Sequence, residues 1–161
     1  MKLESMYQEI ILDHYRKPHH KGLRDPFDAE VHHVNPTCGD EVTLRVRLGD
    51  DGRTVEDVSY ESLGCSISMA SVSVMTDLVV GKDLDDADAA YNAFLALMRA
   101  KGDTEALVEA DEDLLEDAVA FEGVSKYPAR IKCALLGWMA WKDATAQAVA
   151  QQDRRMTEES A

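Results

Sequence analysis

Three cysteines and one aspartate stand in this sequence where thiolate chemistry is easiest to arrange. Cys38-Gly39-Asp40 follows Asn35-Pro36-Thr37. Pro36 stiffens that loop, and Gly39 permits a tight turn that lets Cys38 and Asp40 point one way. Cys65 follows Gly64 at the expected start of a helix, where unsatisfied N–H groups and the positive dipole end favour a thiolate. Cys133 falls in the first turns of the last expected helix, beside Arg130 and Lys132, which favour the thiolate as well. Three thiolates and a carboxylate form a sensible tetrahedral set for Zn²⁺, with bonds of about 2.3 Å to sulfur and about 2.0–2.2 Å to oxygen. The bland alternative stays open. Lone cysteines are often inert buried hydrophobes, and Cys-x-Asp with two distant cysteines is no standard zinc spacing. The Gly-Cys and Cys-Gly-Asp turns favour the metal, because buried structural cysteines do not need them.

The remaining reactive residue types say less. His32 and His33 are neighbours on an expected strand and face opposite sides, so at most one looks toward such a site. His14, on the first expected helix, and His19-His20, in a loop, read as packing or solvent-facing residues. Ser66, Ser68, Ser71 and Ser73 lack a G-x-S-x-G elbow and a placed His–Asp partner, so they read as helix-packing serines. No phosphate-binding loop, dinucleotide fingerprint or zinc-deaminase signature is present.

The elements that must position the cysteines follow from periodicity. An amphipathic helix is expected over 3–17, with Leu3, Met6, Tyr7, Ile10, Ile11 and His14 at helical spacing and Pro18 as its stop. Three strands are expected over Ala29–Val34, Glu41–Leu48 and Val55–Ser62. Val42, Leu44, Val46 and Leu48 alternate with polar residues, and Gly49-Asp50-Asp51-Gly52 marks a hairpin turn. Helices are expected over Ser66–Val80 and Asp83–Ala100, followed by Gly81 and Gly102. The acidic stretch Leu107–Phe121 suggests a short helix plus a connecting loop, with a solvated face at 103–117 or a surface for a basic partner. A last helix opens at Pro128, with Ile131, Leu135, Trp138 and Trp141 on one face. Strands first and helices after, without regular alternation, argue an α+β fold: a small three-stranded antiparallel sheet packed by helices, with the metal site at one end.

Composition sets the outer limits. The chain has 161 residues with 17 basic and 31 acidic side chains, a formal charge of −14. That length suits one domain, expected over residues 1–150, with a polar, frayed end from about Gln151 to Ala161. The acidic balance repels phosphate backbones and argues against nucleic-acid binding. No apolar run approaches the roughly 20 residues a membrane helix needs. The N-terminus lacks a secretory signal pattern, and the three cysteines leave one thiol over in any disulfide scheme, so a cytoplasmic setting is expected.

Taken together, the three cysteine neighbourhoods resemble the U-type iron–sulfur assembly proteins, the SufU/IscU family. The matching strings are Asn35-Pro36-Thr37-Cys38-Gly39-Asp40, Gly64-Cys65-Ser66-Ile67-Ser68-Met69-Ala70-Ser71 and Ala129-Arg130-Ile131-Lys132-Cys133. The opening Tyr7-Gln8-Glu9-Ile10-Ile11-Leu12-Asp13-His14-Tyr15 is similar to that family's first helix, and the likeness runs from about residue 4 to 148. IscU-type scaffolds carry a histidine just before the third cysteine, where this chain has Lys132, and a Leu-Pro-Pro-Val-Lys string where it has Tyr127-Pro128-Ala129-Arg130-Ile131. The extra stretch Gly102–Tyr127, with Phe121-Glu122-Gly123-Val124, is similar to the SufU branch of Gram-positive bacteria.

The resemblance implies a zinc protein that accepts sulfur. It implies metal ligation by Cys38, Asp40, Cys65 and Cys133, with Cys38 as the acceptor. The implied donor is a SufS-type cysteine desulfurase, whose histidine takes the place of Cys38 on zinc during docking while the freed thiol attacks the persulfide. A SufBCD-type assembly complex is the implied recipient. In that role the chain is a sulfurtransferase-like carrier, co-substrate and activator of the desulfurase. Arg130 and Lys132 would then support the ligands or the docking surface, or be ordinary solvated cations. Two alternatives stand beside it: a scaffold building an iron–sulfur cluster, or holding iron, on the same three cysteines, and a zinc module that only regulates the desulfurase. A free-standing hydrolase fits worst, since all four metal positions are filled.

Overall fold

Alternation decides the centre of the molecule. Along β2 (Asp40–Leu48), Asp40, Val42, Leu44, Val46 and Leu48 are buried while the residues between them are half-exposed. The computed structural model describes residues 3–37, 39–100 and 113–160. In it β2 lies between β1 (Ala29–Asn35) and β3 (Val55–Leu63), in an antiparallel sheet of order β1-β2-β3. The expected strands are thus present, each within a residue or so at its ends. The β2–β3 turn closes as the glycine-aspartate cluster suggests: Gly49 N–H donates to Thr54 O at 2.8 Å, and the Asp51 carboxylate accepts from the Thr54 hydroxyl at 2.6 Å.

Helices cover the buried face of this sheet. α1 (Leu3–Arg16) stops before Pro18, whose ring cannot continue it. α2 (Ser66–Val79) is so rich in buried side chains that it forms the middle of the helical layer. α3 (Leu84–Arg99) is capped by Asp83, whose carboxylate accepts from the Asp85 N–H at 3.0 Å. α4 (Pro128–Ser160) opens on a proline in the first turn, where no helical N–H is lost, and packs across β1, β2 and α2. It continues past Gln151, where the sequence suggests fraying, and Gln152 Nε2 donates to Gly49 O at 3.3 Å.

Between α3 and α4 the outcome differs from the expected short helix and loop. The residues over 101–112, and with them the first part of the acidic stretch, lie outside the described residues. Glu116–Lys126 forms a 3-10 helix. Ala118, Phe121 and Val124 are buried at a spacing of three, which suits three residues per turn better than 3.6.

Aromatic packing ties this segment to the rest of the core. Phe94 stacks on Trp138 with ring centroids 4.5 Å apart, and meets Phe121 edge-on at 6.0 Å. α2 and α4 approach closely at Gly137, where a Cβ would lie 2.7 Å from the Val72 Cβ. Beside it the Ser71 hydroxyl donates to Ala134 O at 2.6 Å and accepts from Trp138 Nε1 at 3.2 Å. The first halves of the two helices are thereby locked together, and each carries a cysteine near its start.

Candidate metal centre

Strand register does the first part of the positioning. The pairing of Glu41 with Leu63 carries Asp40, one residue back along β2, to Gly64-Cys65 at the end of β3. The fully buried Asp40 carboxylate accepts the Cys65 N–H at 2.9 Å, and its other oxygen lies 3.8 Å from Cys65 Sγ. Gly64 makes room for this. Its φ is +152°, and a Cβ there would lie 2.7 Å from Asp40 Cγ and 2.9 Å from Ser68 Oγ.

Cys65 itself is the residue before the first turn of α2, in extended conformation. The Ser68 hydroxyl donates to its carbonyl at 3.1 Å, and Cys65 Sγ lies 4.0 Å from Ser68 Oγ. Cys133 comes from the second turn of α4, almost wholly buried, with Sγ 3.6 Å from Ala129 O. One ligand atom from each of Asp40, Cys65 and Cys133 lies within 4.8 Å of the other two. Neither Cys65 nor Cys133 is in a disulfide.

Cys38 lies outside the described residues. The turn around it is closed by Asn35, which pairs with Asp40, accepts the Gly39 N–H on its carbonyl at 2.9 Å and accepts the Thr37 N–H on its side chain at 3.2 Å. Arg130 and Lys132 are exposed on α4. Arg130 borders a solvent-open cleft of about 710 Å³ shared with Tyr7, Ile11, Ile67, Gly123 and Tyr127.

The strand histidines are engaged elsewhere. His32 Nδ1 lies 2.8 Å from Thr43 Oγ1, and His33 Nε2 lies 2.8 Å from Asp143 Oδ2. The latter bond, with one from Gln147, holds the Asp143 carboxyl below the usual carboxylate range. Ser71 and Ser73 are buried and hydrogen-bonded between elements, as packing serines should be. Sequence spacing did not anticipate a second convergence: His14, His19 and Asp77 also bring ligand atoms within 4.8 Å of one another. No motif marks it, because His19 and Asp77 are 58 residues apart.

The NifU-like N-terminal domain family model matches residues 6–134, a span that holds Asp40, Cys65 and Cys133. The chain belongs to this family. Among its relatives, the zinc-dependent sulfurtransferase SufU of Bacillus subtilis is 43% identical over 147 residues, covering 90% of this chain and 92% of that protein. The iron–sulfur cluster assembly scaffold protein IscU of Streptococcus pyogenes is 39% identical over 143 residues, covering 89% and 84%. A crystal structure described as an iron–sulfur cluster assembly scaffold protein for the SUF system, from Fervidobacterium islandicum, superposes with a TM-score of 0.73 at 32% identity, covering 89% of this chain and 99% of that one. The resemblance carried by the three cysteine neighbourhoods is therefore a family relationship, and the α+β fold is the family's.

Proposed function

We propose that this chain is a zinc-dependent sulfur acceptor of iron–sulfur cluster assembly, taking persulfide sulfur onto Cys38 from a SufS-type cysteine desulfurase. The observation that carries the reading is the convergence of Asp40, Cys65 and Cys133 from three separate elements. Ligand atoms on one tetrahedral zinc lie about 3.3–3.8 Å apart for bonds of about 2.0–2.3 Å, so a spread under 4.8 Å needs little closing. The donor chemistry fits too: two thiols and a buried carboxylate, with Cys38 two positions before Asp40 as the fourth. Zinc, when bound, supplies a redox-inert cation that keeps coordinated thiols deprotonated.

The residues then divide the work. Asp40 is pinned by the Cys65 N–H, and Cys65 and Cys133 are set at the starts of two locked helices. Cys38, which the sequence puts between β1 and β2, is in this reading the ligand that leaves. Docking of the desulfurase would free the Cys38 thiolate, and a desulfurase histidine would stand in for it beside Asp40, Cys65 and Cys133. The Cys38 thiolate attacks the outer sulfur of the donor persulfide. A new S–S bond forms on Cys38, the donor's S–S bond breaks, and the electron pair leaves on the donor thiolate. Arg130 and Lys132, exposed beside Cys133, offer the docking surface two cations in a chain of net charge −14.

Metal content and desulfurase stimulation, measured together on wild type and Cys38→Ala, test this. About one zinc per chain, accelerated cysteine turnover with wild type and none with Cys38→Ala support the carrier. Iron and sulfide bound without stimulation support the second reading, a cluster scaffold, which the IscU relative and the affinity of thiolates for clusters favour. Lys132 stands before Cys133 where scaffolds of the IscU type carry histidine, and that substitution weighs toward the carrier.

A further inference from the structure

α2 carries reactive groups at both ends. Cys65 sits just before its first turn and Asp77 in its last, twelve positions on and so about 18 Å away along the axis. Around Asp77 the loop after α1 brings His19, and α1 itself brings His14. His19 Nδ1 lies 2.5 Å from Asp77 Oδ2, and His20 Nε2 lies 3.8 Å from Asp77 Oδ1. The His14 and His19 rings stand 4.6 Å apart, tilted by 49°.

We propose that His14, His19 and Asp77 form a second metal site, separate from the cysteine centre, for a divalent first-row transition ion. Two imidazoles and one carboxylate are borderline-to-hard donors, the set that suits Zn²⁺, Co²⁺ or Fe²⁺ and leaves positions open for water. The three donors already lie within 4.8 Å of one another, so no element has to move to assemble them. The orienting groups are present as well. His14 is buried with its Nδ1 2.8 Å from Ser73 Oγ, and the same hydroxyl accepts the His19 N–H at 2.8 Å. A single serine thus fixes one imidazole and the backbone of the other, the kind of outer support metal-ligating histidines use.

Access and charge agree with entry of a cation. His19 and Asp77 are 49% and 38% exposed, and a cleft of about 570 Å³ opens beside His14 and His19, bordered by Asp13 and Asp117 as well as Arg16 and Lys17. Asp117 Oδ2 lies 3.6 Å from His14 Nε2, a further carboxylate within reach. In the metal-free chain His19 and Asp77 share a hydrogen bond, and an ion there would take the lone pair of His19 Nδ1 while the imidazole carries its proton on Nε2.

The test uses the full chain with its cysteine centre loaded with one zinc, titrated with Co²⁺. The expected result is a second equivalent with d–d absorption and no thiolate-to-cobalt charge transfer. His19→Ala and Asp77→Asn, both at exposed positions, are each expected to weaken that equivalent at least tenfold. Both variants are expected to keep the first zinc and the desulfurase stimulation, which report on the cysteine centre separately. His32→Ala is expected to leave the second equivalent intact. No second equivalent on wild type, or one that survives both His19→Ala and Asp77→Asn, overturns the proposal. Loss of the equivalent in His32→Ala as well also overturns it, since adventitious imidazole binding then explains the signal.

Discussion

The Asp40 carboxylate accepts the backbone N–H of Cys65 at 2.9 Å, so the first residue of β2 fastens the residue that opens α2. The same side chain is thereby both a structural acceptor and a member of the metal group, and the two duties can be separated by substitution. Asp40→Asn keeps a carbonyl oxygen for the Cys65 N–H and loses the charge. It is expected to fold with nearly unchanged thermal stability and to give up zinc readily in a chelator competition. Asp40→Ala loses both and leaves the N–H without its partner, a cost of about 1–3 kcal/mol. Thermal denaturation of the two metal-free variants distinguishes them.

Gly64 sets the room in which that bond is made. With φ at +152° and a Cβ only 2.7 Å from Asp40 Cγ, Gly64→Ala strains the backbone and displaces the carboxylate together. The expected loss is about 2–3 kcal/mol in metal-free denaturant unfolding. Zinc binding is expected to fall with it, because the displaced carboxylate is one of the proposed ligands.

The close approach of α2 and α4 makes its own prediction. Gly137→Ala drives a methyl into Val72, whose Cα lies 3.2 Å and Cγ2 2.8 Å from the new atom. Overpacking of this kind costs about 1–3 kcal/mol. If the two helices move apart, Cys65 and Cys133 separate with them, and cobalt bound at the centre is expected to show altered thiolate charge-transfer bands.

Acid sensitivity is expected at the β2–β3 turn. The Asp51 carboxyl is held down to about 2, first by the Thr54 hydroxyl and then by the N–H groups of Arg53 and Thr54. Its folded value lies below its value of about 3.9 in the unfolded chain, so its ionised form adds stability above about pH 4. That contribution is lost as pH falls through about 2. Thr54→Val removes the leading hydrogen bond, and the Asp51 carboxyl carbon, followed by NMR, is expected to titrate at higher pH than in wild type.

Much of this was legible in the residues. Alternation along Val42–Leu48 exposed the central strand, and the Gly-Asp cluster at 49–52 its turn. Gly64 before Cys65 pointed to a special backbone at the ligand, and the reason proved to be the Asp40 side chain filling the space a Cβ would take. The 3-10 geometry of Glu116–Lys126 was hidden, because a few buried residues three apart also fit a poor α-helix. For His14 the sequence left packing and solvent both open, and it is buried. What spacing could not tell is that the loop beyond α1 folds His19 back onto Asp77, since that meeting depends on how α1 lies against α2.

The cysteine centre draws its residues from the start of β2, the start of α2 and the start of α4. During synthesis the first two elements emerge long before the third. A growing chain therefore holds Asp40 and Cys65 ready and incomplete until Cys133 has been made and α4 has closed over the sheet. Metal capture at this centre would then wait on α4, and a chain cut short before α4 would be left with an open, exchangeable site.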